Sequence, residues 1–385
     1  MELLFWICAA LFFTPYVLYP MLLLLLAALK HRKAVPGRTG EPYHPPVSVL
    51  IAARNEEEVI GQRIENLLGQ SYPGKMEVIV GSDSSEDGTD EIVRSYSDRG
   101  VRLFRSESRL GKPGILQKLK ELATGEILVF TDADTVFAEK TVAELVSPFA
   151  NPTVGCVDGS RRNSLDTESC ESTYWKYEKA VKQLCSRLGA VLGATGAVFA
   201  VRKDLFLPLS PSRADDFELA VMPRISGYKC LFNGDAVAVE PTPDDAQQYK
   251  RMVRIVSWMT VSALLLVGKA LARGKLFLVL QLVLHKALRW MAGFFLIAIT
   301  VLAGLMWAQP PYRAVFLLLM AFHLLALLGY LLKDHLPSKL LLPYYFWLMN
   351  LSSIMGLLRL LAGNPIETWE RRKSAAEETP GGGRA

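Results

Sequence analysis

The sequence predicts an α/β domain with a parallel sheet, inserted between transmembrane α-helices, and three observations predict it. Residues 47–240 alternate apolar runs with amphipathic stretches in the order strand, helix, strand, helix, the mark of a parallel sheet covered on both faces. Residues 3–29 are apolar almost throughout, enough to span a bilayer core of about 30 Å, and apolar runs return beyond Pro241. Of the 385 residues 51% are hydrophobic and the mean hydropathy is +0.22, too apolar for an ordinary soluble protein and long enough for two domains.

In order, residues 1–34 read as an N-terminal anchor. Lys30, His31, Arg32 and Lys33 follow the apolar run at once, which places that end in the cytoplasm. A cleavable signal peptide would carry its basic cluster before a shorter run. Residues 35–46, with four prolines, are a linker. The first strand is 47–53, and a helix over 56–70 turns Val59, Ile64, Leu67 and Leu68 inward. Residues 76–81 form the second strand, after which Asp87 is placed to cap the helix through Ile92 and Val93. A third strand spans 101–104, and Pro113 suits the first turn of a helix running to Ala123. Residues 127–130 are then a buried strand that delivers Asp132 and Asp134 onto a turn.

Composition narrows the partners. The net charge is +5, and the basic residues gather near the apolar segments, which points to a membrane surface and to no nucleic acid. Cys8, Cys156, Cys170, Cys185 and Cys230 form no CxxC pair and are odd in number, as in a reduced, cytosol-facing domain. No H-E-x-x-H spacing occurs, and His285 and His323 lie in apolar runs, so no zinc site is visible.

Ligands of open α/β sheets bind outside the carboxyl ends of the strands, and the expected ends converge chemically. Arg54 with Glu56, Asp83, and Asp132 with Asp134 lie there, while Lys112 enters from the loop R-L-G-K-P. Hard carboxylate oxygens two residues apart suit Mg²⁺ or Mn²⁺ shared with a diphosphate. Each residue alone has a bland explanation as a turn or surface residue. Together they describe carboxylates for a nucleoside, a metal position and a cation for phosphate. Asp215 and Asp216 either begin a helix, where acids favour the dipole, or supply a base, since an adjacent acid raises its neighbour's pKa.

These residues resemble the inverting family 2 glycosyltransferases of GT-A (Rossmann-like) fold, particularly the membrane-integrated hyaluronan, cellulose and poly-N-acetylglucosamine synthases. A52-A-R-N-E56 is similar to the family's first-strand motif, and the resemblance implies nucleotide binding by Ala52, Arg54, Glu56, Asp83, Lys112 and Asp132, with Asp83 reading uracil. It implies a metal on Asp132 and Asp134. V191-L-G-A-T-G-A-V-F199 resembles the acceptor segment, which implies acceptor binding by Gly193, Thr195, Gly196 and Asp215. A214-D-D-F-E-L219 resembles T-E-D-x-x-L, making Asp216 the catalytic base. Two departures stand out. Gln117 replaces the usual asparagine after the Gly-Lys loop, and the Q-x-x-R-W motif, which implies diphosphate contacts from Gln248 and Arg251, ends here in Met252.

With these motifs the domain reading is 47–245 for the cytosolic transferase, 246–289 for interfacial helices, 290–362 for C-terminal spans and 363–385 for a tail. The spans expected are 291–308, 314–332 and 340–361, the last made irregular by Pro343 and Asn350. Arg371, Arg372 and Lys373, with Trp369, argue for a cytoplasmic tail, which three crossings do not allow. The functional expectation is a multi-pass transferase of the inner or plasma membrane. It would move sugar from a nucleotide donor, UDP-linked by the resemblance, to a growing β-linked polysaccharide among membrane lipids. An accessory export subunit is a further partner. The alternatives are single-sugar transfer to a lipid, or a catalytically idle partner subunit of a synthase.

Overall fold

The computed structural model describes residues 1–29, 43–163, 170–210, 213–241, 245–333 and 335–363. Eight strands build one mixed sheet: β1 (Val47–Ala53), β2 (Met76–Asp83), β3 (Val101–Ser106), β4 (Ile127–Thr131), β5 (Val136–Phe137), β6 (Val154–Asn163), β7 (Phe199–Arg202) and β8 (Lys229–Glu240). Their order is β3-β2-β1-β4-β7-β6-β8-β5. The four expected strands are present and parallel to one another. The all-parallel expectation fails beyond β4, because β7 runs antiparallel to both β4 and β6 while β5 pairs antiparallel with β8. A four-residue strand carries no pattern that gives its direction.

Both faces are covered. Val49, Ile51, Val78, Val80, Ile127 and Val129 pack on the helices Ile60–Leu68 and Thr141–Val146. Leu50, Ile79, Leu128 and Phe130 pack on Gly111–Leu122 and on Tyr19 and Leu23 of the N-terminal helix. A fully buried side chain of this kind contributes roughly 1.5–3 kcal/mol over an exposed one. From β1 the sheet grows through β2 on one side and β4 on the other, so the strand order reverses there, and ligands favour such a switch point.

Some helix boundaries differ from expectation. The first helix starts at Ile60 rather than Glu56, because Asn55 adopts φ 54° and the Glu56 amide is held by Thr89 Oγ1 at 2.8 Å. Gly88 caps Thr89–Arg94, while the Asp87 carboxylate takes the Thr89 amide at 3.1 Å. Asp215 and Asp216 do begin a helix, Asp215–Ile225.

Among the described residues three helices are long and apolar enough to cross a membrane: Glu2–Leu29, Asp245–Ala272 and Pro310–Leu331. A fourth results if Leu276–Trp290 and Ala292–Leu305, bent by 60°, make one span. The segment expected to lie in the interface is therefore, up to Ala272, one 28-residue helix with Lys250, Arg251 and Arg254 near one end and Lys269 near the other. Leu342–Leu361 is not among the candidates. It buries Asn350, Ser352 and Ser353, and Ser257 Oγ reaches its Gly356 carbonyl at 3.0 Å. The basic cluster 30–33 and the tail segment 368–373 lie outside the described residues.

Candidate active site

The ends of β1, β2 and β4 form one rim. Arg54 is half-buried there, and its Nε has no hydrogen-bond partner among the described residues. Asn55, two residues past the end of β1, and Ser84, one past the end of β2, hold left-handed φ of 54° and 55°, a strain that persists only where surrounding bonds enforce it. Asn55 Oδ1 accepts the Glu86 amide at 2.9 Å and Ser84 Oγ donates to the Ser106 carbonyl at 3.1 Å. The Ala52 side chain is buried in the sheet, so only its backbone belongs to the rim. Asp83 is fully buried, and its two oxygens accept the amides of Leu110 at 2.7 Å and Gly111 at 3.1 Å. It thereby fixes the loop that presents Lys112.

Lys112 Nζ lies 2.5 Å from Asp132 Oδ1. Burial alone would depress its pKa, but Asp132, Asp215 and Asp216 outweigh burial and hold it above the ordinary lysine value. Asp132 and Asp134 are half-buried beside it. Among the described residues no group of three His, Cys, Asp or Glu closes a metal cage. Two carboxylates next to a lysine nevertheless fit a hard cation that completes its shell with oxygens of a bound anion. Beneath the turn lies an unexpected residue, Arg63, 1% exposed. Its Nη2 donates to Thr131 Oγ1 at 2.7 Å and its guanidinium covers the Phe137 ring at 4.2 Å. Burial pulls its pKa down to about 9 against the pull of Asp132 and Asp134. A charged residue on the inward face shared by Ile60, Ile64 and Leu67 is the signal that would have found it.

The acid pair opens the helix Asp215–Ile225 on the opposite wall. Asp216 Oδ1 accepts the Phe217 amide at 2.7 Å, and Asp215 Oδ2 is buried without a hydrogen-bond partner among the described residues. Burial and the Asp215 charge raise Asp216 to about 7 despite Lys112, and burial raises Asp215 as well. A Cβ added at Gly196 would lie 3.3 Å from Asp216 Oδ2 and 3.8 Å from Lys112 Nζ, so the acid pair, the lysine and the glycine-containing segment meet at one point. Gly193, at φ 97°, would press a Cβ to 3.1 Å from Phe217. The segment is positioned by two residues not singled out in the sequence. Asp158 is fully buried in β6 and accepts the Thr195 amide at 2.7 Å. Lys182 bridges Asp158 Oδ2 at 2.7 Å and Thr195 Oγ1 at 2.9 Å.

Gln248 and Arg251 approach from the helix Asp245–Ala272. Gln248 Oε1 is buried without a partner among the described residues. Arg251 Nη1 lies 3.5 Å from Glu240, which also pairs with Arg161 at 3.3 Å. The same guanidinium interacts electrostatically with Asp132 and Asp134. The arrangement thus presents cations and metal-suited carboxylates on one wall, with a carboxylate of raised proton affinity facing them.

Residues 48–207 match the model of glycosyl transferase family 2. Over 118 residues the chain is 36% identical to a beta-monoglucosyldiacylglycerol synthase of Trichormus variabilis, covering 29% of this chain and 25% of that protein. It is 24% identical over 241 residues to an N-acetylglucosaminyltransferase of Rhizobium meliloti, covering 56% of this chain and 57% of the relative. The chain therefore spans between a quarter and somewhat over half the length of these curated relatives. Among solved structures it is similar to the mannosyltransferase PcManGT from Pyrobaculum calidifontis, in complex with GDP-Man and Mn²⁺, at a TM-score of 0.70 and 25% identity, covering 94% of this chain and 98% of that one. On this fold, this site and this match, residues 48–207 are a glycosyltransferase family 2 domain with a GT-A-like architecture.

Proposed function

We propose that the protein is a membrane-bound inverting glycosyltransferase, moving one sugar from a nucleoside diphosphate donor to a lipid acceptor. The observation that carries this reading is the position of the acid pair. The helix it opens packs Phe217, Val221 and Ile225 directly on Val256, Ala263, Leu266 and Leu282 of two apolar helices that are candidate spans or parts of one. A base at this position would lie beside the candidate spans, within reach of a lipid acceptor. The lipid acceptor named for the Trichormus relative and the GDP-Man and Mn²⁺ of the Pyrobaculum structure support the same assignment.

The chemistry is a single displacement. Asp216 takes the proton of the acceptor hydroxyl, whose oxygen forms a bond to the anomeric carbon while the bond from that carbon to the diphosphate breaks. The electron pair leaves on the diphosphate, whose charge is met by Lys112 and Arg251. Asp132 and Asp134 would hold a divalent cation, which supplies further neutralisation of the leaving group when bound. Asp83 and Arg54 act at the nucleoside end, Arg63 supports the Asp132–Asp134 turn from below, and Thr195 with Gly196 seats the acceptor. The catalytic domain faces the cytoplasm, where nucleotide sugars are made.

The test is one assay on the full chain in nanodiscs. Radiolabelled UDP- and GDP-sugars are supplied with Mn²⁺, and the products are separated by size and lipid extraction. The expected product is a lipid carrying one sugar. A ladder under donor excess would support instead the polysaccharide product that the resemblance to synthases implies.

A further inference from the structure

We propose that Lys286, with Lys182 and Arg289 behind it, forms a binding site for an anionic headgroup, so that the lipid acceptor carries a phosphate beside its reacting hydroxyl. The inference deepens the transferase reading and rests on it. Lys286 lies in a one-turn π-helical segment, Leu282–Ala287, within H285-K-A-L-R-W290, and π-bulges cluster at functional sites. The turn is fixed from the other side: Tyr19 stacks on His285 at 4.8 Å and accepts from Gln281 at 2.9 Å. So held, Lys286 turns away from lipid, half-buried, with its ammonium 5.8 Å from the Phe217 ring, one residue from the base.

Its neighbours explain why the charge is available. Lys182 is engaged by Asp158 at 2.7 Å, and Arg289 by Glu178 at 2.5 Å. Burial would raise Glu178, but Arg289, His285 and Lys286 hold it down at about 2, so it stays ionised as the partner of Arg289. Lys286 makes no ion pair or hydrogen bond among the described residues, although Asp216, Glu178, Lys182 and Arg289 all fall within its electrostatic reach. A desolvated ammonium without a partner is costly, and a phosphate seated there would supply one. The site lies between the base and the apolar helices, which is where the head of a lipid would reach. A surface lysine that merely follows lipid phosphates would extend outward along the helix and not toward Phe217.

The experiment uses the full chain in phosphatidylcholine nanodiscs, a radiolabelled donor found active in the panel, and a total lipid extract of the host cells split by anion exchange into neutral and anionic fractions. Label is expected in the anionic fraction. Lys286→Gln should raise the acceptor KM about tenfold, the loss of roughly 1.4 kcal/mol of binding, while Lys286→Arg retains most of it. The donor Kd reports that both variants are folded. Label confined to the neutral fraction, or an unchanged acceptor KM in Lys286→Gln, overturns the proposal while leaving the transferase reading intact. Inorganic phosphate is added as a separate arm. If it inhibits the wild type but not Lys286→Gln while label enters the neutral fraction, the site takes free anions and the assignment to the acceptor falls. No transfer from any donor to either fraction overturns this proposal together with the transferase reading.

Discussion

The two halves of the sheet use charge in opposite ways. In the parallel half, β3-β2-β1-β4, the strands β1 and β4 are apolar along most of their length and the charges of the rim stand at or beyond the strand ends: Asp83 is buried there, while the side chains of Lys112 and Asp132 are 16% and 29% exposed. In the mixed half, β7-β6-β8-β5, carboxylates sit inside the structure. Asp158 is fully buried within β6, and Glu240, at 2%, is held between Arg161 and Arg251. Charge at strand ends faces a ligand, and its removal should cost function alone. Charge inside the second half shapes the backbone of the acceptor wall, and its removal should cost stability as well.

The largest effect should fall on the parallel half. Removing divalent metal by chelation, or replacing Asp134 with Asn, is expected to abolish turnover while leaving the melting temperature near wild type. Full activity in excess EDTA, with metal removal confirmed by elemental analysis, would break the comparison at its first step.

Asp216→Asn comes next, on the wall between the halves. General-base loss typically costs ~10²- to 10⁴-fold in rate, and nucleotide affinity should be retained because the base acts on the acceptor. Asp216 must be ionised to take a proton, so the rate should fall as pH drops below about 7. Asp215→Asn removes the neighbouring charge and should move that limb to lower pH. A carboxyl raised in the folded state favours folding below its unfolded value, and that contribution is lost as pH rises through about 7. The Asn variant should therefore melt no lower than wild type at pH 8. A variant that loses donor affinity and melts early would make Asp216 structural.

The same contrast explains what the sequence disclosed. The parallel half was legible because a buried parallel strand is an apolar run and the candidate site residue is the first acid after it, as Asp132 follows Ile127–Phe130 and Asp83 follows Val78–Gly81. The direction of β7 was not, since pairing partners are remote and Phe199–Arg202 is too short to show a period. Asp158, Lys182, Arg63 and Lys286 were passed over because each sits singly in an apolar or amphipathic stretch, and only tertiary structure brings a counter-charge or a base to it. Along the chain, residues 251–288 alternate charges with apolar runs, whereas in the structure Lys250, Arg251, Arg254 and Lys269 fall near the ends of one helix, Asp245–Ala272, and Lys286 lies beyond it.

Two lysines measure the contrast directly. Lys182→Met leaves Asp158 buried without its ammonium, and breaking a buried pair in this way costs roughly 3–5 kcal/mol. Since Lys182 is itself 22% exposed, the lower part of that range is expected, read as a lower unfolding midpoint at unchanged denaturant slope. Lys112→Met removes the partner of a half-open carboxylate and should leave the midpoint within about 1 kcal/mol while cutting donor turnover. Equal midpoints in the two variants would erase the distinction between the halves.

The smallest effect is expected at Met252, where the chain departs from the synthases it resembles. An aromatic face gives a pyranose a flat, amphipathic floor that a thioether supplies less well, so a processive enzyme would need a tryptophan here or near. Trp258 lies further along the same helix, but Arg254 covers its ring at 5.5 Å and the indole packs among the residues around Phe217 and Val256. It is engaged as a packing residue, with Arg254 over its ring. Met252→Trp is therefore expected to shift only a minor share of product beyond one sugar, with the donor KM unchanged, as read from product lengths under donor excess. Long products from Met252→Trp would show that a single side chain separates the two modes and that Met252 lies beneath the acceptor, whereas long products from the wild type would transfer the chain to the polymer-forming reading.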